Sequence, residues 1–404
     1  MYKTFRFRIY PNDNQIVLIN KTFGCYRFIY NYFLSICKDN GFSSAFDMIK
    51  ELPSLNKKYE WLKEVDSCSL RCSIFNLEYA YKIFFSKRSG YPIFKSKYNK
   101  QTYRTNYITS EYKGKKYSNI ELDLVNKKIK LPKLGLVHIR GYRNLDEING
   151  KIINATVVKE TTGKYYVNVL YNVIDVIEEK VKPKSIVGID LGVKDLIVTS
   201  SGEKYKNPKE IKRYEKRIKR LMRKLSRQVK KSNNYNKTKI RISKLYSKLK
   251  NSRKHNIIKI VNKLIKEYDI IISEKLDIKN MTHKSNLTKS ILDASFGKIC
   301  SMLDWKSKIM GKYYYQIDTY FPSSKTCSHC GEKTEKTSKL EVRKWECSKC
   351  YSINDRDINA SINIMFEGLK YCFDKERIKD RINKYGSDYR NLSLWRRKRT
   401  FSMK

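Results

Sequence analysis

Hydrophobic and polar side chains alternate at the beginning of the chain and then adopt a helical period. The alternation over residues 2–9 predicts a strand. Apolar residues then recur every three or four positions over residues 16–33 and 61–85, which predicts two helical stretches. Residues 87–117 are basic and rich in turn formers, so we predict a loop there.

Period-two alternation returns near Asn119 and predicts a series of short strands. The dipeptides Asn126-Lys127 and Thr162-Gly163 are turn formers that would join neighbouring strands. We expect these strands and the first strand of the chain to close a small barrel, with the helical stretches inserted after the first strand. The predicted strands cover residues 120–124, 128–131, 136–140, 154–158 and 165–171.

A linker around Pro183 leads to a second half in which short apolar strands alternate with helices, so we predict an α+β multidomain protein with an α/β second half. Residues 208–268 have helical spacing, and the Ser232-Asn233-Asn234 break predicts a helical hairpin. The remaining predicted strands cover residues 185–189, 196–200, 270–274 and 313–319, and the remaining helices cover 290–310 and 357–366.

The charge of the chain indicates a polyanionic partner. The 404 residues include 87 Lys and Arg against 40 Asp and Glu, a formal net charge of +47. Such self-repulsion adds nothing to a fold, whereas Lys and Arg neutralise the phosphates of nucleic acid. The codon bias of an AT-rich genome would explain many Lys and Tyr, but not the shortage of acids. We therefore expect residues 87–117 and 208–268 to contact nucleic acid, with a solvated charged face as the alternative for the hairpin.

The hydrophobic pattern predicts no membrane segment and no membrane partner. No uncharged apolar stretch reaches about 18 residues, the length that a bilayer-spanning helix needs. The first residues have the pattern of a strand and not of a signal peptide. We therefore expect a cytoplasmic, nucleoid-associated protein of a prokaryotic cell.

Three acidic residues are candidates for metal-dependent catalysis. Asp190 and Glu274 each follow a short apolar strand, and Asp357 lies at the start of a helix. Convergent carboxylates repel one another unless cations hold them, and Mg²⁺ or Mn²⁺ takes such oxygen ligands. Two ions about 4 Å apart can activate a water for phosphodiester hydrolysis, as in RNase H enzymes. Each acid alone could instead be a turn former or a helix cap.

Residues next to two of these acids affect how we assign the candidate site. Asp355 competes with Asp357 for the metal-binding role, and we favour Asp357 because Asp355 occupies a position where a helix cap is natural. Gly188 and Gly192 flank Asp190, and we expect their lack of a side chain to let ions and phosphate approach the backbone.

Four of the ten cysteines form two closely spaced pairs, Cys327 with Cys330 and Cys347 with Cys350. This spacing is typical of tetrahedral zinc held by four thiolates. Because protein fills all four positions, the zinc would be structural and would not activate water. A redox pair is the alternative. The other cysteines, including Cys68 and Cys72 on one helix, are expected to be ordinary buried thiols.

Together these motifs resemble the TnpB family, RNA-guided nucleases encoded by small insertion sequences, over nearly the whole chain. The combination carries the resemblance, and no single motif does. The similar segments are GIDLG at 188–192, ISEKL at 272–276, YFPSSKTC at 320–327, DRDINASINI at 355–364, PIFKS at 92–96 and LPKLG at 131–135.

The resemblance implies a division of the chain into named domains. A wedge β-barrel would comprise residues 1–10 and 118–182, a helical recognition insert 11–117, a RuvC nuclease domain of the RNase H-like class 183–322 and 353–370, a zinc-ribbon target-loading segment 323–352, and a basic C-terminal tail 371–404.

The resemblance also implies a DNA endonuclease, which we expect to be a monomer. A guide RNA from the end of the transposable element and a short motif beside the double-stranded DNA target would direct it. The family's catalytic acids, which bind magnesium, correspond to Asp190, Glu274 and Asp357. Ser361 stands where Ala is usual, and Arg71 is a candidate for contacting the motif.

Three other functions fit parts of this pattern. A miniature type V CRISPR effector would share the fold and the acids. A non-cutting RNA-guided repressor usually lacks one of the acids, and all three candidates are present here. A transposase would join DNA strands as well as cut them.

Overall fold

The computed structural model describes residues 2–112, 114–141, 150–173, 182–283, 288–338 and 341–374. The chain divides into two compact units, Met1–Asp175 and Val176–Lys404. Their boundary lies close to the linker predicted around Pro183.

The first unit contains nine strands and four helices in the part of the chain that is described. In chain order these are β1 (Tyr2–Tyr10), α1 (Asp13–Asn40), α2 (Ala45–Lys50), α3 (Leu52–Lys58), α4 (Ser67–Phe85), β2 (Gln101–Asn106), β3 (Thr109–Tyr112), β4 (Lys115–Ser118), β5 (Glu121–Asp123), β6 (Lys128–Leu131), β7 (Gly135–Arg140), β8 (Gly150–Lys159) and β9 (Tyr165–Val173).

Seven of these strands form one sheet, in the order β2-β8-β9-β1-β7-β6-β5. The strands predicted from the alternation are confirmed, but the loop predicted over 87–117 is wrong in its second half. There β2 pairs antiparallel with β8, and β3 and β4 form a hairpin. Residues 101–106, which were expected to belong to the helical insert, are therefore part of the sheet, where Tyr103 and Thr105 are buried.

Helix α1 links the two hydrophobic cores of the first unit. Asn12 caps it, since its side chain accepts from Gln15 N at 2.9 Å while Gln15 Oε1 accepts from Asn12 N at 3.1 Å. Its N-terminal part, with Ile19 and Phe23, packs on the sheet. Its C-terminal part, with Ile29 and Phe33, packs against α2, α3 and α4. Cys68 and Cys72 are buried on α4, as expected.

The second unit contains a further seven strands and six helices among its described residues. They are β10 (Ile186–Asp190), β11 (Asp195–Thr199), β12 (Lys204–Lys206), α5 (Glu210–Ser226), α6 (Asn233–Glu267), β13 (Ile270–Glu274), α7 (Ile278–His283), α8 (Thr288–Ala294), α9 (Phe296–Ile309), β14 (Tyr313–Ile317), β15 (Lys344–Glu346), β16 (Ile353–Asp355) and α10 (Arg356–Asp374).

A five-stranded mixed sheet in the order β12-β11-β10-β13-β14 organises this unit. Strands β10, β13 and β14 are parallel, and β11 returns antiparallel beside β10. The helical hairpin is confirmed as α5 and α6, and Ser232 caps α6 by accepting from Tyr235 N at 3.1 Å. The helix predicted over 290–310 is two helices, because Ser295 between them has φ 57°.

Helix α10 extends further than the sequence indicated. It was predicted to cover residues 357–366 and runs to Asp374, so residues 371–374 are helical although the tail was predicted to begin at residue 371. The basic run at 395–399 lies outside the described residues.

Gly188 lets α10 pack directly against the central strand β10. A Cβ atom at this position would lie 2.1 Å from the carbonyl oxygen of Ser361 and 2.7 Å from the Cβ of Met365, both on α10. The prediction that Gly188 leaves space for ions and phosphate is therefore wrong, because the helix fills that space. The same close packing explains why Ser361, a small residue, is fully buried.

We expect Gly188→Ala to destabilise the second unit by about 2 kcal/mol or more, because the added methyl group must push α10 away from the sheet. Chemical denaturation of the full-length protein measures this change. Gly24→Ala is the matched control, since a Cβ at Gly24 in α1 would meet no atom within 4 Å. Equal stability of both variants would contradict the packing described here.

Candidate active site and zinc site

Two of the candidate acids lie side by side at the carboxyl ends of parallel strands. The register pairs Gly188 with Ile272 and Ile189 with Ser273. Asp190 and Glu274, the next residues on β10 and β13, therefore emerge at the same edge of the sheet. The sequence separates them by more than eighty residues, and the parallel pairing of the two strands brings them together.

The third acid, Asp357, lies in the first turn of α10, and its charge acts on Asp190. Burial and the negative charge of Asp357 raise the pKa of Asp190 to about 7. Burial and the charge of Asp190 raise the pKa of Glu274 to about 7. Asp190 is thus the central acid, because it is coupled electrostatically to both of the others.

Asp355 has a different role from Asp357, as the sequence indicated. Its Oδ1 accepts hydrogen bonds from the backbone nitrogens of Asp357 and Ile358, at 3.1 and 3.2 Å, which is the arrangement of a helix cap. Its Oδ2 pairs with Lys204 Nζ at 2.7 Å. Both oxygens of Asp355 are therefore engaged outside the cluster of acids.

Arg343 is a site residue whose contact the sequence did not reveal. Its Nη1 donates to both carboxylate oxygens of Asp357, at 3.1 and 2.9 Å. In the sequence, Arg343 lies between the two cysteine pairs, within residues 323–352, which we call the cysteine segment. The hairpin of β15 and β16 explains the contact, since Lys344 pairs with Asp355 and the carbonyl of Arg343 accepts from Arg356 N at 2.8 Å.

The chemistry of these donors fits a divalent cation. Two carboxyl groups whose pKa values rise to about 7 share a partly buried edge of the sheet with a third acid. A divalent cation would stabilise the ionised forms that burial and mutual repulsion disfavour, and oxygen donors of this kind suit Mg²⁺ or Mn²⁺.

The four cysteines predicted to bind zinc come together in the second unit. Their sulfur atoms all lie within 4.8 Å of one another. Cys327 Sγ lies 3.7 Å from Cys350 Sγ, and Cys330 Sγ lies 3.6 Å from Cys347 Sγ. Sulfurs at the corners of a tetrahedron with Zn–S bonds of about 2.3 Å would be about 3.8 Å apart, so the cluster fits zinc.

The electrostatics of the cluster also fit a bound cation. The Ser352 hydroxyl, 3.1 Å from Cys350 Sγ, lowers the pKa of Cys350 to about 6. Burial and the neighbouring sulfurs raise the pKa of Cys330 to about 12. All four sulfurs therefore cannot be thiolates together unless a cation such as Zn²⁺ neutralises them.

Buried amide side chains fasten the cysteine segment to the helix that carries Asp357. Asn359 accepts from Ser328 N at 2.8 Å and donates to the carbonyl of Thr326 at 2.7 Å. Asn363, one turn further along α10, donates to the carbonyls of Ser323 and Thr326 at 2.8 and 2.6 Å. The position of α10 therefore depends on the folded cysteine segment.

Three protein-family models match successive parts of the chain. A model described as "Helix-turn-helix domain" matches residues 1–40, one described as "Probable transposase" matches residues 167–285, and one described as "Cas12f1-like, TNB domain" matches residues 296–364. The first match covers β1 and the long helix α1.

Curated relatives extend over nearly the whole chain. A protein of Streptomyces pristinaespiralis that carries the name of an RNA-guided DNA endonuclease is 31% identical over 375 residues, which are 91% of this chain and 89% of the relative. The chain belongs to the TnpB family. The protein InsQ of Escherichia coli, which has the same type of name, is 28% identical over 390 residues. These residues are 91% of this chain and 92% of InsQ.

A solved structure confirms the similarity of fold. The Cas12f1 chain in a cryo-EM structure of a Cas12f1-sgRNA-target DNA complex superposes with a TM-score of 0.56 at 13% identity, covering 90% of this chain and 98% of that one. At this identity the match concerns the fold alone.

The remaining predicted site residue of this TnpB family member is Arg71, which is exposed on α4 in the first unit. Its contact with a DNA motif stays a prediction.

Among the described residues, every helix is too short or too polar to cross a bilayer.

We expect Cys327→Ser and Cys350→Ser each to reduce bound zinc from about one equivalent per chain and to lower the thermal stability of the second unit, because structural zinc contributes folding free energy. Elemental analysis and thermal unfolding measure the two effects. Cys300→Ser, which changes a thiol outside the cluster, should retain the zinc. A folded wild-type preparation that contains no zinc would contradict this assignment.

Proposed function

We propose that the chain is an RNA-guided DNA endonuclease whose reaction takes place at Asp190, Glu274 and Asp357. The observation that carries the proposal is the position of Asp190, which lies beside Glu274 on the parallel strand and is coupled to the charge of Asp357. Membership of the TnpB family supports the same activity. The proposed site is of the RuvC type, with two divalent cations.

The proposed domain names follow from this site. In an RNase H-like domain the first Asp lies on a central strand, the Glu on a neighbouring strand and the last Asp on a helix against the sheet. The arrangement of β10, β13 and α10 supports that assignment for the second unit. For the first unit we propose a wedge domain formed by the seven-stranded sheet, with α1–α4 as the recognition insert. Closure of the sheet into a barrel stays a prediction.

Each side chain has a distinct role in the proposed hydrolysis. The three carboxylates would hold the cations, which supply an activated water and stabilise the leaving oxygen of the phosphodiester. Arg343 holds Asp357 through one guanidinium nitrogen, and its other N–H groups are suited to donating to a phosphate. Asp355 keeps the first turn of α10 in place and takes no part in the chemistry.

The helical hairpin is suited to contacting the phosphate backbone. The 17 residues of α5 include eight Lys or Arg and two Glu. Glu210 is buried, where it accepts from Ser252 at 2.6 Å, and Glu215 pairs with Lys219 at 3.1 Å. With both acids engaged in this way, the basic side chains dominate the surface of α5. We propose that this surface binds the guide RNA or its duplex with target DNA.

The other partners are proposed with the same function. Base pairing to the guide RNA would select the double-stranded DNA target, and the first unit would read a short adjacent motif. We expect a monomer that associates with the nucleoid. A transposase stays the second candidate, since one matching family model carries that description. A type V CRISPR effector would use the same site, whereas a non-cutting repressor would not need all three acids.

We expect site-specific cleavage to require RNA, because tight binding alone follows from a net charge of +47 and specifies no sequence. The experiment supplies protein stripped of RNA with Mg²⁺ and plasmid DNA, and adds no RNA, a matched guide or a mismatched guide. Only the matched guide should give a defined double-strand break. Equal site-specific cutting without RNA would contradict the proposal, and joined strands would favour a transposase.

The same assay includes variants of the acids. Asp190→Ala, Glu274→Ala and Asp357→Ala should abolish cleavage and retain binding of RNA and DNA, because each removes a metal ligand but leaves the basic surfaces intact. Asp355→Ala is the matched control beside Asp357 and should retain cleavage in the fraction that folds. Cleavage by Asp357→Ala together with none by folded Asp355→Ala would show that the last acid is wrongly assigned.

A further inference from the structure

An irregular segment of the first unit, residues 91–98, crosses α1 on its way from α4 to β2. We call this segment the strap. Asn31 of α1 fixes it at one point, since Asn31 Nδ2 donates to the carbonyl of Lys95 at 2.8 Å and Asn31 Oδ1 accepts from Lys95 N at 2.8 Å. Tyr91 is fixed through its hydroxyl group, 2.8 Å from that of Tyr81 on α4. The backbone of the strap is therefore held by polar contacts that do not involve the Lys95 side chain.

The ammonium group of Lys95 is poorly solvated and has no acidic partner. Its Nζ lies 3.4 Å from the centroid of the Tyr30 ring. Burial lowers the pKa of Lys95 to about 8. In the part of the chain that the structure describes, no carboxylate oxygen lies within 4 Å of this ammonium. A desolvated cation with only an aromatic neighbour would be stabilised by an incoming anion.

Large side chains of the strap point away from the protein on either side of Lys95. Relative exposure is 74% for Ile93, 51% for Phe94 and 71% for Tyr98. By contrast, Tyr81, which contacts the strap from α4, is 2% exposed. Exposed aromatic rings beside a cation form a surface on which unpaired bases can stack while a phosphate binds the cation.

The charge around the strap determines which occupant it suits. Residues 86–100, which include the strap, contain five Lys or Arg and no Asp or Glu. A basic region without acids repels cationic partners and attracts phosphates. Duplex DNA would present phosphates but would keep its bases stacked inside, so the exposed rings favour a single strand.

We propose that the strap binds a single-stranded nucleic-acid segment, with a phosphate at the Lys95 ammonium and unpaired bases stacked on Phe94 and Tyr98. The inference rests on the proposed function, since it assigns to the first unit a contact with part of the guide RNA or of a displaced DNA strand. Both share the phosphodiester chemistry that the strap recognises.

The test measures the affinity of full-length, RNA-stripped protein for oligo(U), oligo(dT) and a duplex of the same length, over a range of salt concentrations. Lys95→Gln should reduce the slope of log affinity against log salt by about 0.7 for a single strand, the value of one phosphate contact. Lys95→Arg should keep the wild-type slope. Lys50→Gln is the matched control, because Lys50 pairs with Asp47 at 2.9 Å on α2 and should change nothing.

Aromatic variants test the stacking. Phe94→Ala and Tyr98→Ala should each weaken single-strand binding by about fivefold or more and leave duplex binding unchanged, since each ring would stack on one base. A photoreactive uracil in the oligo(U) should also crosslink to the tryptic peptide of residues 89–95. Thermal unfolding checks that the variants fold. We expect them to fold, because Asn31 holds the strap through the backbone of Lys95.

An unchanged salt slope in folded Lys95→Gln would overturn the proposal, and so would equal losses for duplex and single strands in the aromatic variants. Loss with oligo(U) alone would identify RNA as the occupant, and loss with oligo(dT) alone would identify DNA. These binding measurements do not depend on cleavage. Failure of the guide-dependent cleavage assay would therefore reject the proposed function separately.

Discussion

The mutual repulsion of partly buried carboxylates is the constraint that shapes the second unit. Parallel pairing of β10 with β13 places Asp190 beside Glu274, and Gly188 lets α10 approach close enough for the charge of Asp357 to act on Asp190. The pKa values of Asp190 and Glu274 rise to about 7 as a result. Such an arrangement costs free energy in the absence of a cation, which supports a metal-dependent role for these acids.

Helix α10 connects this site with the cysteine cluster. Asn359 and Asn363 donate to backbone carbonyls of the cysteine segment, and the same segment supplies Arg343 to Asp357. A structural zinc would therefore do more than stabilise a local fold, because it would fix the helix and the arginine beside the acids. Helix α10 therefore connects the cysteine cluster directly to the edge of the sheet where Asp190 and Glu274 lie.

Much of the second unit could be predicted from sequence because its signals are local. Short apolar strands, the break at Ser232 and the spacing of the cysteines each indicate one kind of structure. The position of Asp355 just before a helix predicted its role as a helix cap. The contact of Arg343 could not be predicted, since it depends on the register of β15 with β16. Gly188 was misinterpreted because its neighbour in space, Ser361, lies far away in the sequence.

The first unit was harder to predict, because basic residues mask its sheet. Strand β2 carries Arg104 between the buried Tyr103 and Thr105, and the basic, turn-rich residues before it favoured a loop. Its pairing partner β8 lies some fifty residues away, so the pairing could not be predicted from the local sequence pattern. The role of the strap likewise depends on Asn31 and Tyr30 of a distant helix.

The most direct test of the central claim is the stability of wild type and Asp190→Asn with and without Mg²⁺, at about pH 5 and about pH 8. In the folded protein the pKa values of Asp190 and Glu274 are raised to about 7, whereas in the unfolded chain they are about 4. The contribution of these two groups to the free energy of unfolding is therefore fully present below about pH 4 and is lost as the pH rises through 7. Without Mg²⁺, wild type should therefore lose more stability than Asp190→Asn between these pH values. Mg²⁺ should restore wild type at about pH 8 and affect the variant less. Equal stabilisation of both proteins by Mg²⁺ would contradict a metal site centred on Asp190.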